Sequence, residues 1–149
     1  ILVILIKLQN IQKYKDELSI NGDLSYLNLD WTPVPIIPKF VDIVVNGLAD
    51  RDYDIKISIP EFTCVCPRTG HPDFATIEIN YIPNKLIVEL KSLKLYIQQF
   101  RNLGIFHENV TNKILDDFRR ACKPRKIDVI GRFNPRGGIS TVVEAHWQE

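Results

Sequence analysis

One stretch decides the fold: Glu61-Phe62-Thr63-Cys64-Val65-Cys66-Pro67-Arg68-Thr69-Gly70-His71-Pro72-Asp73-Phe74. It lies between two segments of strand-like alternation. Pro67, Gly70 and Pro72 interrupt regular backbone structure, so we expect the whole stretch to be a structured loop rather than a helix or a regular strand. Prolines restrict φ, and a loop fixed by two strands can hold a thiol and a carboxylate in a set geometry. The pattern therefore predicts that Cys66 and Asp73 face one ligand.

Two interpretations of this pair stay open at this point. As a functional pair, the thiol of Cys66 is a nucleophile and the carboxyl group of Asp73 manages a proton. As structural residues, Cys66 is a small buried hydrophobe and Asp73 is a turn former beside Pro and Gly.

Length and composition are typical of one globular domain. Of the 149 residues, 45% are hydrophobic and 25% are charged, which is enough to bury a core. The net charge is +1, from 19 basic and 18 acidic side chains, so the chain lacks the global basic field that nucleic-acid binding exploits. We therefore expect no direct nucleic-acid partner, and any anion site must be local.

The cysteines and the first residues bear on the compartment. Three cysteines are an odd number without the spacing of a disulfide framework, so we expect a reducing, cytoplasmic setting. The apolar residues 1–6 end at Lys7, far short of the roughly 20 that span a bilayer. They lack a basic start and a small-residue cleavage site, so we expect neither a signal peptide nor a membrane partner. Because no initiator Met is present, we expect the true start to lie upstream.

Alternation of apolar and polar residues predicts strands. Ile55, Ile57 and Ile59 alternate with polar residues until Pro60, which we expect to end the first strand. The same period returns in residues 76–81, and the two strands are expected to pair around the cysteine loop. Further strands are predicted at 127–129 and 139–147, on either side of a turn at 134–138.

A period of 3.6 residues predicts two adjacent helices between these strand pairs. The first begins near Ser92 and ends at Gly104 as its C-terminal cap, and the second buries Cys122 and ends at Pro124. The apolar positions are Leu93, Tyr96, Ile97, Phe100 and Leu103, then Val110, Ile114, Leu115, Phe118, Ala121 and Cys122. The order ββααββ predicts an α+β fold, an antiparallel four-stranded sheet with two helices on one face.

Residues 1–50 contain no motif. We expect them to be an N-terminal segment that packs on a domain spanning residues 51–149, with a strand at 41–45. The predicted sheet leaves its edges and one face exposed, and pairing with further copies would close a barrel.

Three further groups allow a functional or a plain structural role. Lys91 and Lys94 project from the start of the first helix, where they can bind an anion or form a solvated face. His107 and Glu108 open the second helix, where Glu108 complements the helix dipole or accepts paired N–H donors from a purine-like ring. Arg136 precedes two glycines and can reach a phosphate. The structural alternative is that Gly137 and Gly138 serve only to form the hairpin turn.

Several motifs between about residues 51 and 138 belong together. They are Pro60-Glu61-Phe62-Thr63, Cys66-Pro67 through Thr69-Gly70, Pro72-Asp73-Phe74, Glu89-Leu90-Lys91-Ser92-Leu93-Lys94, Phe100-Arg101-Asn102, Phe106-His107-Glu108 and Pro135-Arg136-Gly137-Gly138. Their sequence resembles the 7-cyano-7-deazaguanine reductases, the NADPH-dependent nitrile reductases of queuosine biosynthesis, in their short single-module form. Many members have Ser where this chain has Leu90, so any substrate contact at that position is expected from the backbone.

The resemblance implies a fold, a cofactor and residue roles. It implies the tunnelling fold, a barrel-like homo-oligomer with sites at subunit interfaces, two NADPH per turnover and no metal ion. Cys66 would attack the nitrile carbon to form a covalent thioimide, and Asp73 would supply the proton for the nitrile nitrogen. The implied substrate-binding residues are Val88, Glu89, Leu90, His107 and Glu108. The implied residues for the phosphates of NADPH are Lys91, Lys94 and Arg136. No Gly-x-Gly-x-x-Gly fingerprint follows any predicted strand, so NADPH rests on the resemblance.

Two rival hypotheses remain. A zinc-dependent hydrolase similar to GTP cyclohydrolase I would use the cysteines with His71 or His107 as ligands, but Cys64-Val65-Cys66 is closer spaced than usual zinc pairs. A non-catalytic oligomeric purine-binding module would lack the thiol or Asp73, and both are present.

Overall fold

Antiparallel strands and two helices make up residues 43–149, the part of the chain that this computed structural model describes. In chain order the elements are β1 (Ile43–Val45), β2 (Ile55–Val65), β3 (Pro72–Ile82), β4 (Leu86–Val88), α1 (Leu90–Gln98), α2 (His107–Cys122), β5 (Lys126–Arg136) and β6 (Ile139–Gln148). The predicted α+β class, with antiparallel pairing and two adjacent helices, is confirmed. Residues 1–42 lie outside the described part of the chain, and so does the predicted packing of most of the N-terminal segment.

The long strands form one sheet in the order β2-β3-β5-β6, and every neighbouring pair is antiparallel. The predicted pairing of β2 with β3 around the cysteine loop is confirmed, with Ile57 opposite Ile79. The short strands β1 and β4 pair separately, and Ile43 lies opposite Val88.

The core lies between one face of the sheet and the two helices. Ile77, Ile79, Ile127 and Val129 are fully buried, while the residues between them are partly exposed, as expected for strands with one covered face. The helices contribute Leu93, Tyr96, Val110, Ile114 and Phe118 to the same core. Cys122 is also fully buried, as predicted.

A bulge in β2 overturns the prediction that Pro60 ends the strand. Ile59 pairs with Ile77, and the next pair is Phe62 with Ala75. Three steps along β2 therefore correspond to only two steps along β3. The one extra residue accommodates Pro60, which has no N–H to donate to the ladder. Strand β2 therefore continues to Val65, and the predicted loop contracts to residues 66–71.

A second bulge overturns the prediction of a turn over residues 134–138. Strand β5 continues through Pro135 to Arg136, because the extra residue between Phe133 and Arg136 accommodates this proline as well. The connection to β6 is made by Gly137 and Gly138 alone, at φ values of 56° and 81° that favour glycine.

The start and end of α1 differ from the sequence expectation. The helix begins at Leu90, because Glu89 accepts hydrogen bonds from the backbone N–H groups of Lys91 and Ser92. It ends at Gln98 and continues as a short 3₁₀ turn (Gln99–Asn102). Gly104 is not the C-terminal cap; it forms an isolated bridge with Val65. The second helix ends before Pro124, as predicted.

Candidate active site

The loop between β2 and β3 closes on Cys66. The Cys66 N–H donates to the His71 carbonyl at 2.8 Å, and the Cys66 carbonyl accepts from the Gly70 N–H at 2.9 Å. Gly70 has a φ of 70°, which permits this tight turn. These hydrogen bonds hold the backbone of Cys66 in place, and the residue is only half-buried, so it is not enclosed in the core.

Hydrogen bonds around the sulfur favour the thiolate. Burial raises the pKa of the Cys66 thiol, but hydrogen bonds from the Thr69 hydroxyl and from the backbone N–H groups of Arg68 and Thr69 outweigh it. The net pKa lies below the usual 9.0, although the nearby charge of Asp73 raises it somewhat. Cys64 and Cys122 differ, because burial raises the pKa of each thiol to about 12. Cys66 therefore has the environment of a nucleophile.

Asp73 is buried beside this loop. Its residue is 5% exposed, and Asp73 pairs with Cys64 in the β2–β3 ladder. One carboxylate oxygen, Oδ1, lies 3.0 Å from Nε of Arg136, and the other, Oδ2, lies 3.5 Å from Nε2 of His107. A buried carboxylate is costly unless it is paired, and these contacts supply the pairing.

The first turn of α2 brings His107 to the site. The imidazole ring stacks on Phe133 of β5, with ring centroids 3.7 Å apart and planes 7° from parallel. This stacking orients Nε2 toward Asp73. Glu108 is the next residue and its side chain is exposed, so it is accessible to a ligand.

The start of α1 holds the second group of predicted residues. Val88 is buried, and its N–H donates to the Tyr81 hydroxyl at 3.4 Å. Glu89 caps α1, and its hydrogen bonds from the N–H groups of Lys91 and Ser92 lower its pKa. Leu90 is 64% exposed. Lys94 and Leu90 line a groove of about 290 Å³ between β2 and α1.

Comparisons with known proteins agree on one family. The model of the QueF-like protein family matches residues 72–149. An NADPH-dependent 7-cyano-7-deazaguanine reductase of Chloroherpeton thalassium is 56% identical over 111 residues, which cover 74% of this chain and 96% of the relative. A reductase of the same name from Nitrosococcus oceani is 54% identical over 109 residues, which cover 73% of this chain and 84% of the relative.

The chain belongs to this reductase family.

The fold also matches a solved structure. The apo form of an archaeosine synthase, described as QueF-Like, superposes with a TM-score of 0.59 at 20% identity. The match covers 62% of this chain and 91% of that chain. At this identity the likeness concerns the fold alone.

This member of the reductase family brings only some of the predicted residues together. Cys66, Asp73, His107 and Arg136 form one cluster, which we call the thiol cluster. Within residues 43–149, no hydrogen bond or ion pair joins the side chains of Lys91 and Lys94 to it. Arg136 contacts Asp73 and the Pro72 carbonyl, and neither contact was anticipated from the sequence. Its predicted contact with a cofactor phosphate stays a prediction.

Two residues that shape the candidate site were missed. Thr69 supplies a hydrogen bond to the Cys66 sulfur. Its position in the turn between Cys66 and Gly70 is the sequence signal that could have identified it. Phe133 orients His107, and nothing in its own segment distinguishes it from a core residue.

Metal ligands and membrane spans were also sought in the described part of the chain. Among residues 43–149, no three or more His, Cys, Asp or Glu side chains are grouped to hold a metal ion. In the same residues no helix is long and apolar enough to cross a membrane.

Proposed function

We propose that the protein reduces the nitrile of 7-cyano-7-deazaguanine to 7-aminomethyl-7-deazaguanine with NADPH, in queuosine biosynthesis. The names of relatives at 51–58% identity support this activity. The observation that carries the chemistry is a half-buried thiol with a lowered pKa beside a buried carboxyl group.

In the proposed reaction Cys66 is the nucleophile. The carboxylate of Asp73 takes up the proton of the Cys66 thiol, and the thiolate attacks the nitrile carbon and forms a C–S bond. Asp73 then passes that proton to the nitrogen, so that the product is a thioimide. Cys66 takes back the electron pair of the C–S bond when that bond breaks after the first reduction. NADPH supplies hydride, and one nitrile, two NADPH and two protons give one amine and two NADP⁺.

Substrate recognition is assigned to the first turn of α2 and the segment before α1. Glu108 is exposed and accepts paired N–H donors from the guanine-like edge of the base, an arrangement that suits a carboxylate. His107 lies beside it. Glu89 already accepts two hydrogen bonds from its own helix, so the segment of Val88, Glu89 and Leu90 contributes mainly its backbone and its shape.

The cationic residues fit the phosphates of NADPH. Lys91 and Lys94 are exposed. Arg136 is 37% exposed at its side chain, so part of its guanidinium is accessible although it pairs with Asp73. Phosphates are bound well by such side chains.

An oligomer would complete the site. Strands β2 and β6 are the edges of the four-stranded sheet, and on β6 Ile139 and Val142 are 73% and 51% exposed. We infer a tunnelling-fold homo-oligomer in which edge strands pair into a barrel, with the thiol cluster of one subunit facing the start of α1 of another. A cytoplasmic location without direct nucleic-acid or membrane partners is part of the same proposal.

Mass spectrometry of the intact protein tests this function. Protein incubated with the nitrile and no NADPH is expected to gain the mass of one substrate molecule, localised to Cys66 by peptide mapping, and Cys66→Ala to gain none. An unmodified wild-type protein, or an adduct that persists in Cys66→Ala, would reject the thioimide.

A further inference from the structure

Arg136 reaches the thiol cluster because β5 contains a bulge. Along β5 the buried residues Val129 and Phe133 face the helices, so in a regular strand Arg136 would point to the opposite face. Phe133 pairs with Thr141, and the next pair is Arg136 with Ile139. Three steps along β5 therefore correspond to only two steps along β6. This extra residue returns Arg136 to the helix side, where Asp73 lies.

The guanidinium group holds two consecutive residues of β3. Its Nε lies 3.0 Å from Oδ1 of Asp73, and its Nη2 donates to the Pro72 carbonyl at 2.7 Å. The planar fork therefore fixes the carboxylate and the backbone before it. The second oxygen, Oδ2, is turned toward His107.

We propose that Arg136 is a positioning residue, which holds Oδ1 of Asp73 and the Pro72 carbonyl so that Oδ2 is directed at the nitrile nitrogen. The inference rests on the proposed function, because it concerns the proton transfer in that reaction. Asp73 takes up the thiol proton of Cys66 and passes it to the nitrogen as the C–S bond forms at Cys66. Arg136 itself neither gives nor takes a proton, since its guanidinium stays charged.

The rate of adduct formation without NADPH tests this role separately from cofactor binding. Rapid-quench mass spectrometry is expected to show that Arg136→Gln forms the Cys66 adduct about ten- to a hundredfold more slowly than wild type, the equivalent of losing one charge-assisted hydrogen bond. Arg136→Lys should recover part of the rate, because Lys pairs with the carboxylate but lacks the second, fixed donor. Arg132→Gln is the matched control, since Arg132 lies on β5 and pairs with Glu78 at 3.1 Å, away from Asp73. It should keep the wild-type rate.

A double-mutant cycle separates positioning from a general structural effect. If Arg136 acts through Asp73, then adding Arg136→Gln to Asp73→Asn causes no further slowing. Slowing of the double variant by the product of the two single-variant factors would overturn the inference. So would a wild-type adduct rate in Arg136→Gln with a raised KM for NADPH, which would restrict Arg136 to the cofactor. Absence of any adduct in the wild-type protein would instead reject the proposed function, and this inference with it.

Discussion

Asp73 lies directly opposite Cys64 in the β2–β3 ladder, and Cys66 follows Cys64 by two residues, at the start of the loop after that strand. The backbone that carries Asp73 is thus paired with the strand that leads into the thiol-bearing loop, while its carboxyl group contacts Arg136 and His107. Two cysteines so close in sequence have opposite properties: burial raises the pKa of Cys64 to about 12, while hydrogen bonds lower that of Cys66.

This contrast predicts different effects of removing each sulfur. Cys66→Ala is expected to abolish nitrile-dependent oxidation of NADPH, since no other described thiol is both accessible and activated. Cys64→Ala should keep most of the activity and lower the free energy of unfolding by about 1 kcal/mol, because it leaves a small cavity in the core. Absorbance at 340 nm and urea denaturation measure the two effects. Equal loss of activity in both variants would contradict the assignment of Cys66.

The Thr69 hydroxyl should control the pH at which Cys66 reacts. It lowers the pKa of the thiol, so Thr69→Val is expected to raise that pKa and shift the alkylation-rate profile toward higher pH. At neutral pH the alkylation rate should fall about fivefold, the equivalent of one hydrogen bond of about 1 kcal/mol. Iodoacetamide modification followed by mass spectrometry gives the profile. Thr69→Ser keeps the hydroxyl and should retain the wild-type profile; a shift of similar size in Thr69→Ser would show that packing, not the hydrogen bond, matters.

The two bulges explain which parts of the fold could be predicted. Period-2 alternation identified the strands, and 3.6-residue periodicity identified the helices, because both follow from burying one face. Pro60 was interpreted as a strand end and Pro135 as part of a turn, whereas each lies in a bulge. A proline that breaks a strand and one that occupies a bulge look alike in sequence. The partner strand decides between them, and sequence periodicity does not contain the pairing register.

The close approach of α2 to β5 predicts a strict requirement for glycine at position 131. A Cβ there would lie 2.6 Å from Oγ1 of Thr111 and 2.9 Å from the ring of Phe133. Gly131→Ala is therefore expected to lower the free energy of unfolding by about 1–3 kcal/mol, the usual cost of overpacking a core. Urea denaturation provides the measurement. Gly47→Ala is the control, since nothing lies within 4 Å of its added Cβ, and its stability should be unchanged or slightly higher. Equal stability of the two variants would show that the contact with Thr111 relaxes freely.

The candidate site was predictable where sequence motifs carry the chemistry themselves. Cys66, Asp73 and His107 belong to such motifs, and the structure places them together. The ion pair of Arg136 with Asp73 depends on the register of three strands, and the stacking of His107 on Phe133 depends on how α2 packs on β5. Both are tertiary contacts between distant segments, so local pattern carried no signal for them.

Glu108 should determine affinity for the base rather than for NADPH. Its exposed carboxylate is assigned to the guanine-like edge, so Glu108→Ala is expected to weaken binding of the deazaguanine by about ten- to a hundredfold, the loss of one or two charge-assisted hydrogen bonds. Calorimetric titration with each ligand in turn, using Cys66→Ala variants to prevent adduct formation, separates the two affinities. Asp116→Ala removes another exposed carboxylate of α2 and is expected to change neither. Size-exclusion chromatography of each variant verifies that the proposed oligomer has not dissociated, because dissociation would also abolish a site at a subunit interface. If Glu108→Ala weakens NADPH binding as much as deazaguanine binding, Glu108 does not act by recognising the base.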